Sequence, residues 1–238
     1  MKCLILAGGF ATRLFPLTIN RAKALLEFRG KPVITHVIER VPSHVDIFVS
    51  TNKKFESEFI NWQQTLGRDV QLLIEEAVSD DQKMGAVGAV DYWIRHKHIN
   101  EDLMVIAADN YFEANIPEML SQFNGRNTLI AVHDVGDKEK ACEIGKACQV
   151  GLVMLDRNKV TRLDEKPPAA TSSIVATGIY ILPERVFPLL SEYCRTLKQD
   201  NLGSFISFLL GIDEVHAYAF SETWMDIGDE IKRGNIRI

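Results

Sequence analysis

The sequence predicts an α/β protein with a mixed, mainly parallel sheet flanked by helices, passing into a β-rich second half. Three observations carry this. Through residues 1–133, short apolar runs alternate with longer amphipathic ones, the pattern of parallel strands joined by crossover helices. Through 134–238 the runs are β-rich and joined by turn residues such as Asp156, Arg157 and Asn158. The 238 residues, 46% hydrophobic and 25% charged, suffice for one sizeable core and contain no repeat, low-complexity tract or linker. A single domain over 1–238 is therefore expected, with 1–133 and 134–238 as its halves.

In chain order, Lys2–Leu6, Asp46–Ser50, Val70–Ile74, Leu103–Ala107 and Thr128–His133 read as strands because each is short and predominantly apolar. Ile34–Arg40, Lys54–Leu66, Ala86–His96 and Pro117–Phe123 have helical spacing, and Trp93 with Val90 and Ile94 reads as core. The charges of the Glu75–Lys83 loop read as solvated. In the second half, strands are expected at Gln149–Leu155, Val160–Glu165, Ile174–Leu182 and Glu214–Phe220. Helices are expected at Glu184–Tyr193, Leu202–Leu210 and Asp229–Asn235, the last capped by Asp229.

The net charge of -5 argues against a nucleic-acid partner, which would call for a basic face. No apolar run reaches the ~18 residues of a membrane span, and Lys2 alone precedes the first strand, unlike a cleavable signal. No membrane partner and a cytoplasmic location are expected. Cys3, Cys142, Cys148 and Cys194 form no CxxC pair and read as free thiols in a reducing compartment. None of the six histidines has a Ser or Cys partner in a motif, which weighs against a hydrolytic triad.

Several clusters could carry chemistry. In LILAGGFATRL the first strand runs through Leu6 and Ala7 into Gly8 and Gly9, then Thr12 and Arg13, with Lys23 downstream. Paired glycines after a strand often only make a turn. They also let backbone approach an anion closely, and Arg13 and Lys23 could balance phosphate charge. Neither GxGxxG nor GxxxxGK[ST] occurs. Asp109 follows an apolar strand, at the sheet edge where open α/β folds bind ligands, and Asp226 lies in TWMDIGD. Two carboxylates on separate strands can share a divalent cation. Glu165 and Lys166 could be an exposed ion pair, or an acceptor and a cation for a sugar phosphate. In MGAVGAV, Gly85 and Gly88 could pass close under a nucleoside or simply pack a helix.

Leu6–Thr18, Lys23–Leu26 and Gly30–Pro32 together resemble the signature of the sugar-phosphate nucleotidylyltransferases, or NDP-sugar pyrophosphorylases, especially the glucose-1-phosphate thymidylyltransferases. The resemblance runs from Leu6 to Asn235 and implies a Rossmann-like, GT-A-like nucleotidyltransferase fold. It implies Mg²⁺-dependent transfer of a nucleotidyl group from an NTP to a sugar 1-phosphate with release of pyrophosphate, the overall likeness favouring dTTP or UTP with glucose 1-phosphate. Alternatives are another phosphate monoester acceptor, such as phosphocholine or an inositol phosphate, and a non-catalytic binding protein of the same fold. By the same resemblance Arg13, Lys23, Asp109 and Asp226 are catalytic, with Asp109 and Asp226 the metal pair. Leu6, Ala7, Gly8, Gly9, Thr12, Arg13, Lys83, Gly85 and Gly88 take the nucleotide; Gly151, Glu165, Lys166, Thr177 and Gly178 take the sugar phosphate, beside the Gly203–Phe205 turn. The chain departs from the pattern at Ala11 and Ala108, where glycine is usual, and at Ala86, where threonine is usual. Lys83 stands near the place of a base-reading glutamine. Homo-oligomers fit the resemblance, and at this length the long C-terminal extensions of some relatives are expected to be lacking.

Overall fold

The first half of the chain, in the computed structural model, runs β1 (Lys2–Leu6), β2 (Glu27–Phe28), β3 (Lys31–Pro32), α1 (Val33–Arg40), β4 (Asp46–Asn52), α2 (Glu56–Gln63), β5 (Gln71–Glu75), α3 (Gly85–His96), β6 (Leu103–Ala107), β7 (Asn110–Phe112), α4 (Ile116–Gln122) and β8 (Thr128–Asp134). The second half adds α5 (Lys138–Ala141), β9 (Gly151–Asp156), β10 (Lys159–Glu165), β11 (Ile174–Leu182), α6 (Phe187–Thr196), α7 (Leu202–Leu209), β12 (Val215–Phe220), β13 (Trp224–Asp226) and α8 (Ile227–Lys232). The structure describes residues 1–142, 148–197 and 201–236.

One nine-stranded sheet, in the order β5-β4-β1-β6-β11-β8-β12-β10-β9, takes strands from both halves. β1 is apolar from Cys3 to Leu6 because β4 and β6 flank it in parallel and helices cover both faces. Cys3 and Ile5 pack with Ile38, Phe59 and Met119 of α1, α2 and α4 on one side. Leu4 and Val105 pack with Val90 and Leu190 of α3 and α6 on the other. This two-residue alternation is the strand period, and it fixes the register: a slip of one would exchange the two cores. β11 reverses direction against β6 and β8 and so welds the second half onto the parallel half.

Helix ends differ from the sequence expectation where caps decide them. Asn52 accepts the Phe55 amide and starts a 3₁₀ turn, so α2 begins at Glu56. Asn115 caps α4 through the Glu118 amide. The final helix is capped by Asp226, whose side chain accepts the Asp229 amide, and not by Asp229. The strand begins at Gly151, two residues later than expected. The β2–β3 hairpin, α5 and the β7–β13 ribbon carry no sequence periodicity long enough to announce them. Two of the four cysteines are not free: Cys142 and Cys148, with Cα atoms 4.5 Å apart, form a disulfide. Cys148 is seated by its amide bond to the Pro167 carbonyl, a tertiary contact that no cysteine spacing encodes. The argument for a reducing compartment loses that support; Cys3 and Cys194 form no disulfide among the described residues.

Candidate active site

The parallel strands β1, β4, β5 and β6 all end at one edge of the sheet, and a cleft of about 640 Å³ opens there. The loop after β1 forms one wall. Its Ala7 amide donates to the Ser50 carbonyl at 2.7 Å. The Gly8 carbonyl accepts from Asn52 Nδ2 at 3.0 Å, and the Ala11 carbonyl accepts from Thr18 Oγ1 at 2.8 Å. With those oxygens satisfied, the loop is held before any ligand arrives. Ala11, where glycine is usual, adopts φ 47°, the left-handed region that disfavours a side chain. Thr12 and Arg13 are exposed on the following turn, and Arg13 Nη1 donates to Gln149 Oε1 across the cleft at 2.5 Å.

The floor joins three distant segments. Lys23 Nζ donates to Asp109 Oδ2 and to Asp226 Oδ1, each at 2.9 Å. The β7–β13 ribbon makes this possible, because it pairs Asn110 with Asp226 and so sets the two aspartates side by side. Gly228 leaves the ammonium its place: a Cβ would stand 2.5 Å from Lys23 Nζ, so the lysine would have to shift. Thus in DIG the aspartate grips the lysine, Ile227 is buried, and the glycine makes room. Burial opposes ionisation of both carboxyls. At Asp109 the Lys23 ammonium outweighs burial and holds the carboxyl below the usual range. At Asp226 burial, joined by the like charge of Asp109, prevails over Lys23 and the carboxyl lies above it. The lysine's own affinity for its proton is raised by the pair, against burial.

The opposite wall comes from the second half. Glu165 closes β10 with its carboxylate nested between Gly151 and Gly203; a Cβ on Gly151 would lie 2.9 Å from Oε2, and one on Gly203 would overlap it. Lys166 is exposed, its Nζ 3.8 Å from Glu165 Oε1. Gly178 has φ 80° and a backbone so close to Ala107 that a Cβ would stand 3.0 Å away. The Thr177 hydroxyl is turned into the sheet, donating to the Ala131 carbonyl at 2.9 Å, so only its backbone can serve a ligand.

Leu6, Ala7, Gly8, Gly9, Thr12, Arg13, Lys23, Asp109 and Asp226 therefore line one cleft together with Gly151, Glu165, Lys166, Thr177 and Gly178. Lys83 and Gly85 line it too, Lys83 paired with Asp80 at 3.0 Å. Gly88 does not; it is buried one turn into α3. Sequence reasoning missed Gln149, and it misjudged Glu75, which is 6% exposed and not solvated. Ser50 Oγ donates to Glu75 Oε1 at 2.8 Å, and burial, against that bond, pushes the carboxyl up.

Among the described residues no group of three or more His, Cys, Asp or Glu could enclose a metal. Asp109 and Asp226 do suit Mg²⁺, which takes one or two carboxylates and completes its shell with phosphate oxygens and water. Two aspartates against one lysine leave a net negative floor, and no hydrogen bond from a described residue reaches Asp226 Oδ2.

The chain is similar to a mannose-1-phosphate guanyltransferase of Debaryomyces hansenii, 25% identical over 96% of this chain and 61% of that protein. It is likewise similar to the bifunctional protein GlmU of Methanococcus maripaludis, 28% identical over 96% of this chain and 51% of that protein. It thus spans about half to three-fifths of the length of these relatives. Among solved structures, a UDP-glucose pyrophosphorylase from Acinetobacter baumanii superposes with TM-score 0.74 at 20% identity, covering 98% of this chain and 90% of that one. That likeness establishes a common fold, of the Rossmann-like type that the resemblance implied. The nucleotidyl transferase family model matches residues 2–231, and the chain belongs to that family.

Proposed function

We propose that the protein transfers a nucleotidyl group from an NTP to a sugar 1-phosphate and releases pyrophosphate. The observation that carries this is the meeting of Lys23, Asp109 and Asp226 between a glycine loop bearing Arg13 and the Glu165–Lys166 wall. A phosphate oxygen of the sugar phosphate attacks the α-phosphorus in line, and the bond to the pyrophosphate oxygen breaks. The attacking monoester is already ionised near neutral pH, so positioning and charge neutralisation do the work and no strong base is needed. Gly8 and Gly9 bring backbone to the nucleotide; Thr12 and Arg13 bind the leaving phosphates; Lys23 stabilises charge at the α-phosphate. Glu165 takes sugar hydroxyls and Lys166 the sugar's phosphate. Asp109 and Asp226 would hold Mg²⁺, which when bound neutralises charge on the reacting phosphates.

The reading carries a cytoplasmic location, since both substrates are charged phosphorylated metabolites. The overall resemblance favoured dTTP or UTP with glucose 1-phosphate, and relatives named for guanyl transfer widen the panel. The test is pyrophosphate release with the five common NTPs crossed with mannose and glucose 1-phosphates, phosphocholine and an inositol phosphate, for the wild type and Asp226→Asn. Asp226→Asn should retain its circular dichroism and lose most turnover, by about 10²–10³-fold. Near-normal release by that variant would remove the floor from the chemistry, and turnover only with a non-sugar phosphate monoester would change the acceptor.

A further inference from the structure

Taking the cleft as a nucleotide site, the sheet order divides it. Gly151, Glu165 and Gly178 stand on the β11 side of β1, whereas β4 and β5 stand on the other, so the nucleoside falls on the β5 side of the glycine loop. That wall is small and apolar: Leu6, Gly8, Gly85, Ala86 and Ala89. Exposed Lys83 and half-buried Asp80 at its rim are spent on each other. The buried ionisable side chain of this wall is Glu75, the last residue of β5.

Glu75 is oriented by a relay. Trp93 Nε1 donates to Ser50 Oγ at 2.8 Å, and Ser50 Oγ donates to Glu75 Oε1 at 2.8 Å. No hydrogen bond from a described residue reaches Oε2, although the residue is only 6% exposed and lines the cleft. A Cβ on Gly8 would lie 2.9 Å from Oε1, so the first glycine of the loop is what leaves the carboxylate its space. Among the described residues Oε2 is not one of the buried side-chain oxygens left unpaired; in a residue otherwise enclosed it is the oxygen left to the cleft, where a ligand's donors can meet it.

We propose that Glu75 selects the nucleobase and that the base is guanine. An ionised carboxylate offers acceptors only. Guanine alone among the common bases presents two adjacent donors, N1–H and the N2 amino group, which a carboxylate takes as a pair. Uracil and thymine present one N–H between two carbonyl oxygens, which a carboxylate repels. Cytosine and adenine present one amino group beside a ring-nitrogen lone pair. A good bidentate contact of this kind discriminates by about 10- to 100-fold.

The experiment is calorimetric binding of GTP, ATP, CTP, UTP and dTTP, each with Mg²⁺, to the wild type and to Glu75→Gln. The wild type should bind GTP about 10- to 100-fold more tightly than the other four. Glu75→Gln, which exchanges one acceptor for a donor, should abolish that preference and leave the other four nearly unchanged. A wild type without preference for GTP overturns the inference, as does a variant that weakens all five alike, the result of a purely structural role. The wild-type ranking decides alone if the variant fails to fold. GTP preference without pyrophosphate release from any acceptor supports the base assignment and removes the transfer reaction; no binding of any NTP removes both.

Discussion

Replacing Lys23 by Met deletes one charge from the floor and keeps most of the apolar stem. In the wild type the ammonium lies 2.9 Å from each of two carboxylates, with 13% of its side chain exposed. Without it, two carboxylate oxygens no more than ~6 Å apart repel by about 3 kcal/mol at an effective dielectric of ~20. Asp109 and Asp226 keep 40% and 26% of their side chains in solvent, which screens that repulsion. The net loss of stability in metal-free buffer should therefore be about 2 kcal/mol, below the usual cost of breaking a fully buried pair. In a chain of this size that lowers Tm by about 4–8 °C. The sign then reverses with Mg²⁺: the vacated floor has two unneutralised carboxylates, so the ion should recover much of the lost stability in the variant. The wild type, whose lysine already offsets one of the two charges and holds an oxygen of each carboxylate, should respond weakly without nucleotide. Thermal unfolding with Mg²⁺ and with EDTA measures this, and Mn²⁺ titration by EPR should show tighter binding to the variant. A variant as stable as wild type in EDTA, or one no more responsive to Mg²⁺, would refute the reasoning.

Ala11→Gly removes a left-handed alanine, which costs ~1 kcal/mol, and adds unfolded-state freedom of similar size. Its Tm should stay within a few degrees of wild type while NTP affinity rises; weaker NTP binding would show a loop fitted to alanine. Gly203→Ala drives a methyl group into the Glu165 carboxylate, so KM for the sugar phosphate should rise with KM for NTP little changed. Equal rises in both would detach Glu165 from the acceptor. Glu75, whose carboxyl is raised by burial, makes the fold less stable as pH increases from the unfolded value of ~4.3 through its raised folded value, because the native state holds the proton longer. Glu75→Gln should flatten that decline and unfold at a higher temperature than wild type at pH 8. A parallel pH profile would contradict the burial of an ionising carboxyl.

The parallel half was legible because β1 and β6 are nearly continuous apolar segments and β4 has an apolar centre at Ile47, Phe48 and Val49, the mark of strands buried on both faces. Asp109 stood out as a charged residue just past such a run, Arg13 in the glycine loop that follows another, and Glu165 at the end of a mixed strand. What was not legible depends on partners from elsewhere in the chain. β7 has three residues, too few to display a period, and it exists through pairing with β13. Asp229 looked like the cap of α8 because it begins a helical pattern, yet the β conformation of Asp226 puts that oxygen over the helix amides instead. Glu75 looked solvated among neighbouring charges; Ser50 on β4 and Trp93 on α3 enclose it. The requirements for Gly203 and Gly228 are set by Glu165 and Lys23, far away in sequence.

The ribbon of β7 and β13 also imposes an order on the chain's maturation. β1, β4, β5 and β6 lie within the first 107 residues and pair through local crossovers, so much of the nucleotide half can condense early. Lys23 must wait for Asp226, 203 residues later, and that aspartate is placed by the ribbon and by the helix it caps. Until this last closure the early half holds a lysine and an aspartate with no third member. During synthesis the chain therefore passes through states that resemble its fold without its floor, and the floor closes only after Asp226 and the helix it caps have been made.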